Sequence, residues 1–274
     1  MILYPTLEAD LTCPSRYVRA RLRKEPTLAP FASTVLGKEV HERIASSLRQ
    51  GVVVSQADDP LRDVTGGGGR PVHRKTFQLP RRVMLSEGEK LDSLLDRAQK
   101  GLARFEADYR PGLQGEAHRV EEFLAWNLEL EGELVRFMGK LDLLLSQGED
   151  QEVWDWKTGN PKNSREQLRL YLFLVYGATG NPPRLARAVG LESGEEVVEV
   201  WSEEVIPWGY AWLQRMRKSL SAALTNPRAL NPGPVCRYCP YAHACPASAA
   251  PRRYLLDTRT GEVTEVAVES LASE

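Results

Sequence analysis

Residues 139–159 read GKLDLLLSQGEDQEVWDWKTG and place two carboxylates and a lysine on segments whose pattern predicts neighbouring strands. Asp155 and Lys157 are two positions apart, so on a strand both side chains lie on the same face of the sheet. Asp142 belongs to the preceding segment, and pairing of the two strands would bring it beside them. Tryptophans on both sides of Asp155 indicate that the opposite face of this strand is buried.

The grouping of Asp142, Asp155 and Lys157 indicates a metal-dependent hydrolytic site. Neighbouring carboxylates repel each other, and a bound cation relieves that repulsion. Oxygen ligands suit Mg²⁺ or Mn²⁺, which activate water and neutralise the charge of a scissile phosphate. The lysine would orient the attacking water or stabilise developing negative charge. The Asp-x-Lys tripeptide alone also occurs on solvated hairpins, so the surrounding residues must decide between the two interpretations.

The flanking segments predict an α/β fold with a central mixed β-sheet flanked by helices. Extended segments follow one another at residues 118–131, 134–146, 151–159, 185–192 and 195–203. Helical periodicity predicts helices that start at Ser33 and cover residues 87–110, 164–178 and 207–225. The helix from Ser33 and the helix at 164–178 are expected to pack on the sheet beside the carboxylates.

The domain organisation predicted from the sequence is one domain over residues 1–250 and a C-terminal hairpin or tail over residues 251–274. Within it, residues 52–86 are interpreted as an insertion or flexible loop. This region contains SQADDPLRDVTGGGGRP, whose glycines have no strand before them and no Gly-Lys-Ser/Thr after them. The glycine run is therefore interpreted as a linker and not as a phosphate-binding loop.

Composition constrains the partners only weakly. The 274 residues suffice for one sizeable core, and the formal net charge of -1 says nothing about a polyanionic partner. A nucleic-acid contact must therefore come from local patches. No run of about eighteen apolar residues and no signal-peptide pattern is present, so we expect no membrane association and a cytoplasmic location.

A basic segment near the N-terminus is the candidate DNA contact. Arg16, Arg19 and Arg21 could follow a phosphate backbone, and Tyr17 could stack on unpaired bases. The alternative is that the arginines solubilise a surface helix while the tyrosine packs in the interior. The sequence favours neither interpretation.

The four cysteines, Cys13, Cys236, Cys239 and Cys245, form a second candidate site. Three of them cluster as C-x-x-C-x5-C in a proline-rich loop, and a cytosolic chain with such a cluster more often holds a metal than a disulfide. Zinc and an iron–sulfur cluster both suit four thiolates. His243 lies inside the loop and is an alternative zinc ligand.

Taken together, GKLD, DWKTG and the pair Gln167 and Tyr171 resemble the PD-(D/E)XK nucleases of the RecB-like branch. That branch shows G-x-x-D, D-x-K-T-G and Q-x-x-x-Y in this order. The resemblance implies a restriction-endonuclease-like core within residues 1–250. It also implies that Gln167 and Tyr171 support the catalytic site or contact DNA.

Two upstream segments extend the resemblance. LGKEVHERI resembles the G-x-x-x-H-E motif of the branch, which implies that His41 is a metal ligand. HRVEEF resembles its glutamate-bearing strand, with Glu121 as the matching catalytic position, although the adjacent glutamate leaves the register open. The metal ligands implied in this way are His41, Asp142, Asp155 and the backbone carbonyl of Trp156.

The cysteine pattern narrows the resemblance to RecB-like nucleases that carry a 4Fe-4S cluster. An early cysteine in a C-P-x-R-Y context with a late C-x-x-C-x5-C is similar to AddB-type subunits and CRISPR-adaptation nucleases. The resemblance implies a cluster that joins the N- and C-terminal segments.

The resemblance also implies the function. It predicts a metal-dependent exonuclease that acts on single-stranded DNA or DNA ends in repair, recombination or CRISPR adaptation, with a helicase or CRISPR-adaptation protein as partner. The alternative is an iron–sulfur DNA-binding module with a vestigial nuclease site. Such a module would be expected to have lost a ligand or the lysine, and neither is missing here.

Overall fold

Strands and helices follow the alternation and the helical periodicity of the sequence. The computed structural model describes residues 1–50, 77–113, 117–147, 150–247 and 252–266. The strands are β1 (Ile2–Leu3), β2 (Arg82–Ser86), β3 (Ala117–Leu130), β4 (Glu133–Gln147), β5 (Asp150–Lys157), β6 (Leu185–Gly190), β7 (Glu196–Val200), β8 (Arg253–Asp257) and β9 (Val263–Glu265). The α-helices are α1 (Leu7–Leu11), α2 (Pro14–Tyr17), α3 (Ala32–Gln50), α4 (Leu91–Arg104), α5 (Arg110–Leu113), α6 (Arg165–Thr179) and α7 (Val205–Thr225).

The main sheet is six-stranded and mixed. Strand β4 pairs antiparallel with β3 along its length, and at its other edge it pairs parallel with β1 and antiparallel with β5. Strand β6 then pairs parallel with β5 and antiparallel with β7. The β3–β4 hairpin turns at Glu131 and Gly132, both with positive φ, as expected for a tight turn. The predicted mixed sheet is confirmed.

Helix α6 packs its apolar residues on this sheet. Phe173 contacts Trp126 of β3 and Phe137 of β4, with ring centroids 5.2 and 6.0 Å apart. On β5, the ring of Trp156 is 1% exposed and lies edge-on to Phe105, at 5.3 Å. Burial of these large rings is the main favourable contribution to this core. The predicted burial behind Asp155 is confirmed, as is the α/β class, and the mixed sheet flanked by helices is consistent with a restriction-endonuclease-like core.

The chain divides into two compact units, each made from separate stretches of sequence. The first contains Met1–Glu8, Val40–Ala57 and Gln99–Ser219, and the second contains Ala9–Glu39, Asp58–Ala98 and Leu220–Glu274. The main sheet belongs to the first unit. This division differs from the single domain over residues 1–250 that the sequence predicts, because both ends of that range contribute to the second unit.

The second unit contains a three-stranded antiparallel sheet in the order β2-β8-β9. Its apolar centre is formed by Ala29, Phe31 and Met84, with Leu255 packed against them. The interpretation of residues 52–86 as a loop is therefore wrong for Arg82–Ser86, which pairs with β8 through the apolar run VML. Residues 52–76 of that prediction lie outside the described part of the chain.

Two further element boundaries differ from the sequence predictions. The helix predicted over 87–110 begins at Leu91, and a π-helical turn at Phe105–Tyr109 connects α4 to α5. The C-terminal hairpin turns where expected, around residues 258–260, and its first strand is the centre of the second sheet. Across the described stretches, no helix is both long enough and apolar enough to span a bilayer.

Candidate active site

The register of β4 and β5 brings the two aspartates together. The last paired residues are Leu143 and Trp154, and the same offset sets Asp142 opposite Asp155. Beyond that pair, the Trp156 N–H donates to Asp142 Oδ2 at 2.8 Å instead of to a backbone carbonyl. The carboxylate of Asp142 thus takes the place of a ladder bond, and both aspartates lie on one face of the sheet.

Lys157 lies on the same face as Asp155, as the spacing predicts. Its ammonium is 2.7 Å from Asp155 Oδ2, and it donates to Gln167 Oε1 at 2.8 Å. Gln167 in turn donates to the Tyr171 hydroxyl at 2.7 Å. Both partners come from the first turns of α6, one helical turn apart on the face that meets the sheet. The lysine is therefore held from two sides.

His41 completes the arrangement from helix α3. Its Nδ1 is 3.1 Å from Asp142 Oδ1. One ligand atom from each of His41, Glu121 and Asp142 lies within 4.8 Å of the others, which is the spacing of a metal-binding group. The structure therefore brings together every side chain that the motifs selected for the site.

Glu121 reaches this group through an unusual backbone conformation. Its φ of 57° is left-handed, although it lies inside strand β3 and is not glycine. The flanking residues pair normally with β4, so the distortion is confined to the position opposite Asp142. Backbone strain of this kind costs on the order of 1–3 kcal/mol and is concentrated at functional sites. This location opposite Asp142 favours Glu121 over the adjacent Glu122 as the glutamate of the site.

The charges and the burial of the site shift the pKa values of its ionisable groups. The pKa of Asp155 is raised to about 6: burial is the largest cause, Lys157 opposes it, and the neighbouring charge of Asp142 adds to the rise. Burial lowers the pKa of His41, but the hydrogen bond to Asp142 and the negative charges around it outweigh burial, so that pKa is raised. Burial and the two aspartates also raise the pKa of Tyr171 well above its usual value. Excess negative charge is characteristic of a site that binds a cation.

The donor set fits a divalent metal ion. One imidazole nitrogen and two carboxylates lie within mutual reach, and oxygen-rich sets of this kind suit Mg²⁺ or Mn²⁺. In the metal-free protein, His41 and Asp142 share a hydrogen bond that a metal ion would replace, with release of a proton. The predicted roles of the Asp155 carboxylate and of the Trp156 carbonyl as ligands stay predictions.

The sequence reasoning missed Lys140, which forms an ion pair with Glu121 across the β3–β4 hairpin. It lies two residues before Asp142 on the same strand, and this spacing could have placed it on the face of the active site.

The four cysteines all lie in the second unit and line one cavity, together with Arg16 and residues of the preceding loop. None of them forms a disulfide. Asn231 donates to the Thr12 carbonyl at 2.8 Å, and the Ser15 N–H donates to the Ala229 carbonyl at 3.1 Å. The segment with Cys13 is thereby tied to the segment that leads into the C-x-x-C turn. His243 is not among the residues that line the cavity.

The basic N-terminal segment is largely neutralised by its own neighbours. Arg16 and Arg21 lie 3.7 and 2.7 Å from Asp10, and Arg19 lies 2.6 Å from Glu25. Tyr17 is only 7% exposed, so base stacking on this ring conflicts with the structure, which favours the alternative that it packs. The DNA-contact role of the three arginines stays a prediction.

Comparison with known proteins agrees with the site. The profile of the PD-(D/E)XK nuclease superfamily matches residues 5–246, and the chain therefore belongs to that superfamily. No curated protein matches the chain. The chain is similar to the crystal structure of SSO0001, with 15% identity, a TM-score of 0.43 and coverage of 91% of this chain and 88% of that one. It is also similar to a candidate exonuclease of Eubacterium rectale, with 14% identity, a TM-score of 0.41 and coverage of 79% and 84%.

Proposed function

We propose that this protein is a metal-dependent DNA nuclease that hydrolyses phosphodiester bonds at the face formed by β4, β5, α3 and α6. The observation that carries the proposal is the metal-binding group of His41, Glu121 and Asp142 beside the ion pair of Asp155 and Lys157. Membership of a nuclease superfamily supports the same conclusion. A vestigial site would have lost one of these groups, and all of them are present.

The ligands of the proposed Mg²⁺ or Mn²⁺ are His41, Asp142 and Asp155, with Glu121 adjacent and the Trp156 carbonyl as a further donor. Such an ion, when bound, lowers the pKa of a coordinated water and neutralises charge on the phosphate.

The lysine supplies the remaining chemistry. Lys157 stands beside the carboxylates, where its ammonium can hold the attacking water or stabilise charge that develops on the phosphate. Gln167 accepts one hydrogen bond from it and restricts its rotamers, and Tyr171 fixes the amide of Gln167. Positioning of this kind lowers the entropic cost of reaching the reactive geometry.

The nature of the substrate is proposed from the motif resemblance. We propose exonucleolytic action on single-stranded DNA or DNA ends, in repair, recombination or CRISPR adaptation, beside a helicase or CRISPR-adaptation protein. We also propose a cytoplasmic location, as the sequence predicts.

For the cysteine site we propose a 4Fe-4S cluster. The support is the motif resemblance together with the position of the cysteines: all four line one cavity, and four thiolates suit the ligands of such a cluster.

A time course on 5′- and 3′-end-labelled DNA, single- and double-stranded, tests the proposed function. Wild-type protein with Mn²⁺ should release label from one end as mono- or short oligonucleotides, and Asp155→Ala should lose cleavage by about 10³-fold or more. Asp150→Ala, on the exposed end of the same strand, is the matched control and should cleave normally. Full cleavage by Asp155→Ala would refute the assignment, and internal cutting would refute the exonuclease proposal alone.

A further inference from the structure

A buried arginine lies against the cysteine loop, and no carboxylate of the described residues forms an ion pair with it. Arg253, the first residue of β8, is 4% exposed. Its guanidinium donates to the carbonyls of Cys236 at 2.6 Å, Cys239 at 2.5 Å and Arg237 at 3.2 Å. It also lies over the ring of Phe31, 5.0 Å from the centroid. Three carbonyl groups of the C-x-x-C turn thus converge on one side chain.

The second sheet holds this guanidinium in place. Arg253 pairs with Ser86 of β2 in the antiparallel register. Two residues earlier on β2, the Met84 N–H donates to the Pro30 carbonyl at 2.8 Å, which places the neighbouring Phe31. The guanidinium and the ring that it covers are therefore positioned by the same small sheet. This sheet contributes residues after position 246, where the superfamily match ends.

The charge of Arg253 needs a counter-charge. A buried cation loses its hydration, and carbonyl dipoles compensate this only in part. Among the residues that the structure describes, the groups in contact with this guanidinium are carbonyls of the Cys236–Cys239 turn and the ring of Phe31, none of which carries a negative charge. Its Nε has no hydrogen-bond partner there either. A neutral, thiol-bearing loop would leave this charge uncompensated, whereas thiolates bound to a metal centre would supply a negative neighbour.

We propose that Arg253 is the positioning residue of the cysteine site: it holds the Cys236–Cys239 turn by its carbonyls and offsets the negative charge of a thiolate-bound metal centre. This inference rests on the proposed metal centre at the four cysteines. Four thiolates carry more charge than either a zinc ion or a 4Fe-4S core, so both centres would be anionic and both would be stabilised by this guanidinium.

The test uses the full chain, reconstituted anaerobically with iron and sulfide, and compares Arg253→Met and Arg253→Lys with wild type. Arg252→Met is the matched control, since Arg252 is 68% exposed in its side chain and lies 3.8 Å from Glu265. Arg253→Met should lose iron to a chelator about tenfold faster than wild type. Its midpoint potential should fall, because removal of a positive charge disfavours the added electron.

Arg253→Lys distinguishes the role of the arginine in holding the turn from its role in offsetting negative charge. It should keep the wild-type potential, because the charge is retained, but release iron faster, because an ammonium lacks the planar fork that meets three carbonyls. The control should match wild type in both measurements.

Release rates and potentials that are unchanged in both Arg253 variants would overturn the inference. If Arg253→Met fails to fold, Arg253→Lys decides: faster release at the wild-type potential supports the inference, and either a lower potential or wild-type release overturns it. Wild-type protein that binds neither iron nor zinc would overturn the metal centre itself, and with it this inference. If wild-type protein binds the metal centre and both Arg253 variants match it in release rate and potential, the role of Arg253 is wrong and the metal centre stands.

Discussion

Asp155 is the most buried charged group of the active site, and its burial has a cost. The side chain is only 4% exposed, and Lys157 compensates only part of the lost hydration. A carboxyl group whose folded-state pKa lies above its unfolded value destabilises the folded protein at high pH. The buried carboxylate thus lowers the stability of the folded protein, and it is the group that the proposed cation would bind.

This cost can be measured as a pH-dependent stability. The pKa of Asp155 is raised from 3.8 to about 6, so its penalty is absent below about pH 4 and complete above about pH 6. Asp155→Asn should therefore stabilise the metal-free protein above about pH 6 by on the order of 1–3 kcal/mol. This gain should disappear as the pH falls towards 4.

Thermal denaturation of chelator-treated protein over this pH range provides the measurement. Asp150→Asn, an exposed carboxylate on the same strand, should show no such gain. A pH-independent difference between Asp155→Asn and wild type would contradict the explanation.

Tyr171 is expected to act through Gln167 and not on the substrate. Tyr171→Phe removes the acceptor of the Gln167 amide and loosens the hold on Lys157. We expect kcat to fall about tenfold with little change in the KM for DNA, because positioning is lost and binding is not. Tyr176→Phe, five residues further along α6, is the control. A rise in KM alone would instead assign Tyr171 to DNA binding.

The sequence predicted which side chains lie together at the candidate site, because their spacing is a property of regular strands and helices. Asp155 and Lys157 share a face by strand periodicity, and Gln167 and Tyr171 share one by helical periodicity. The left-handed backbone of Glu121 could not be predicted, since it arises where tertiary packing overrides a local preference. The burial of Tyr17 could not be predicted either, because it depends on which residues cover the ring in the fold and not on the residues beside it in the sequence.

At the scale of elements, the contact of α6 with the sheet determines where Gln167 and Tyr171 lie. Gly177 allows this close approach: a Cβ at this position would overlap the indole of Trp126 on β3. Indole rings in a packed core cannot move away without a cost, so the helix itself would have to shift.

Gly177→Ala should therefore destabilise the protein by about 1–3 kcal/mol and also lower nuclease activity. Denaturant unfolding and the initial rate of DNA cleavage are the two measurements. Gly112→Ala is the control, because a Cβ there meets no atom within 4 Å. Equal stability of the two variants would show that α6 does not depend on this contact.

Elements with strong periodicity were predicted and those that depend on distant pairing were not. Strands β3 to β7 of the main sheet follow one another along the chain, so their alternation was sufficient, whereas β1 reaches β4 from the distant N-terminal end and was not predicted. Strand β2 is short and pairs with β8 from the far end of the sequence, and a five-residue run carries too little signal to reveal such a partner.

At the scale of the molecule, two compact units each contain one candidate metal site. The residues of the proposed nuclease site belong to the first unit and the cysteines to the second. The sequence indicated both sites through their motifs. It did not indicate the division, because each unit is assembled from stretches that are far apart in the chain.

The cysteine site should stabilise its unit by joining segments that are far apart in sequence. Cys245→Ser should lower the iron content and reduce the thermal stability of the reconstituted protein by on the order of several kcal/mol, since metal binding is coupled to folding. His243→Ala should keep the wild-type iron content and thermal stability, because this side chain does not line the cavity. Iron analysis with calorimetry makes the comparison. Loss of iron from His243→Ala but not from Cys245→Ser would reverse the ligand assignment.

The most direct test of the nuclease assignment is the initial rate of Mn²⁺-dependent DNA cleavage by Lys157→Ala, measured beside Lys162→Ala. Lys162 is a matched control, because its side chain is 66% exposed and lies 3.2 Å from Glu195 on the surface. We predict that Lys157→Ala loses about 10³-fold in rate while Lys162→Ala retains the wild-type rate. Cleavage by Lys157→Ala at the wild-type rate would contradict the assignment.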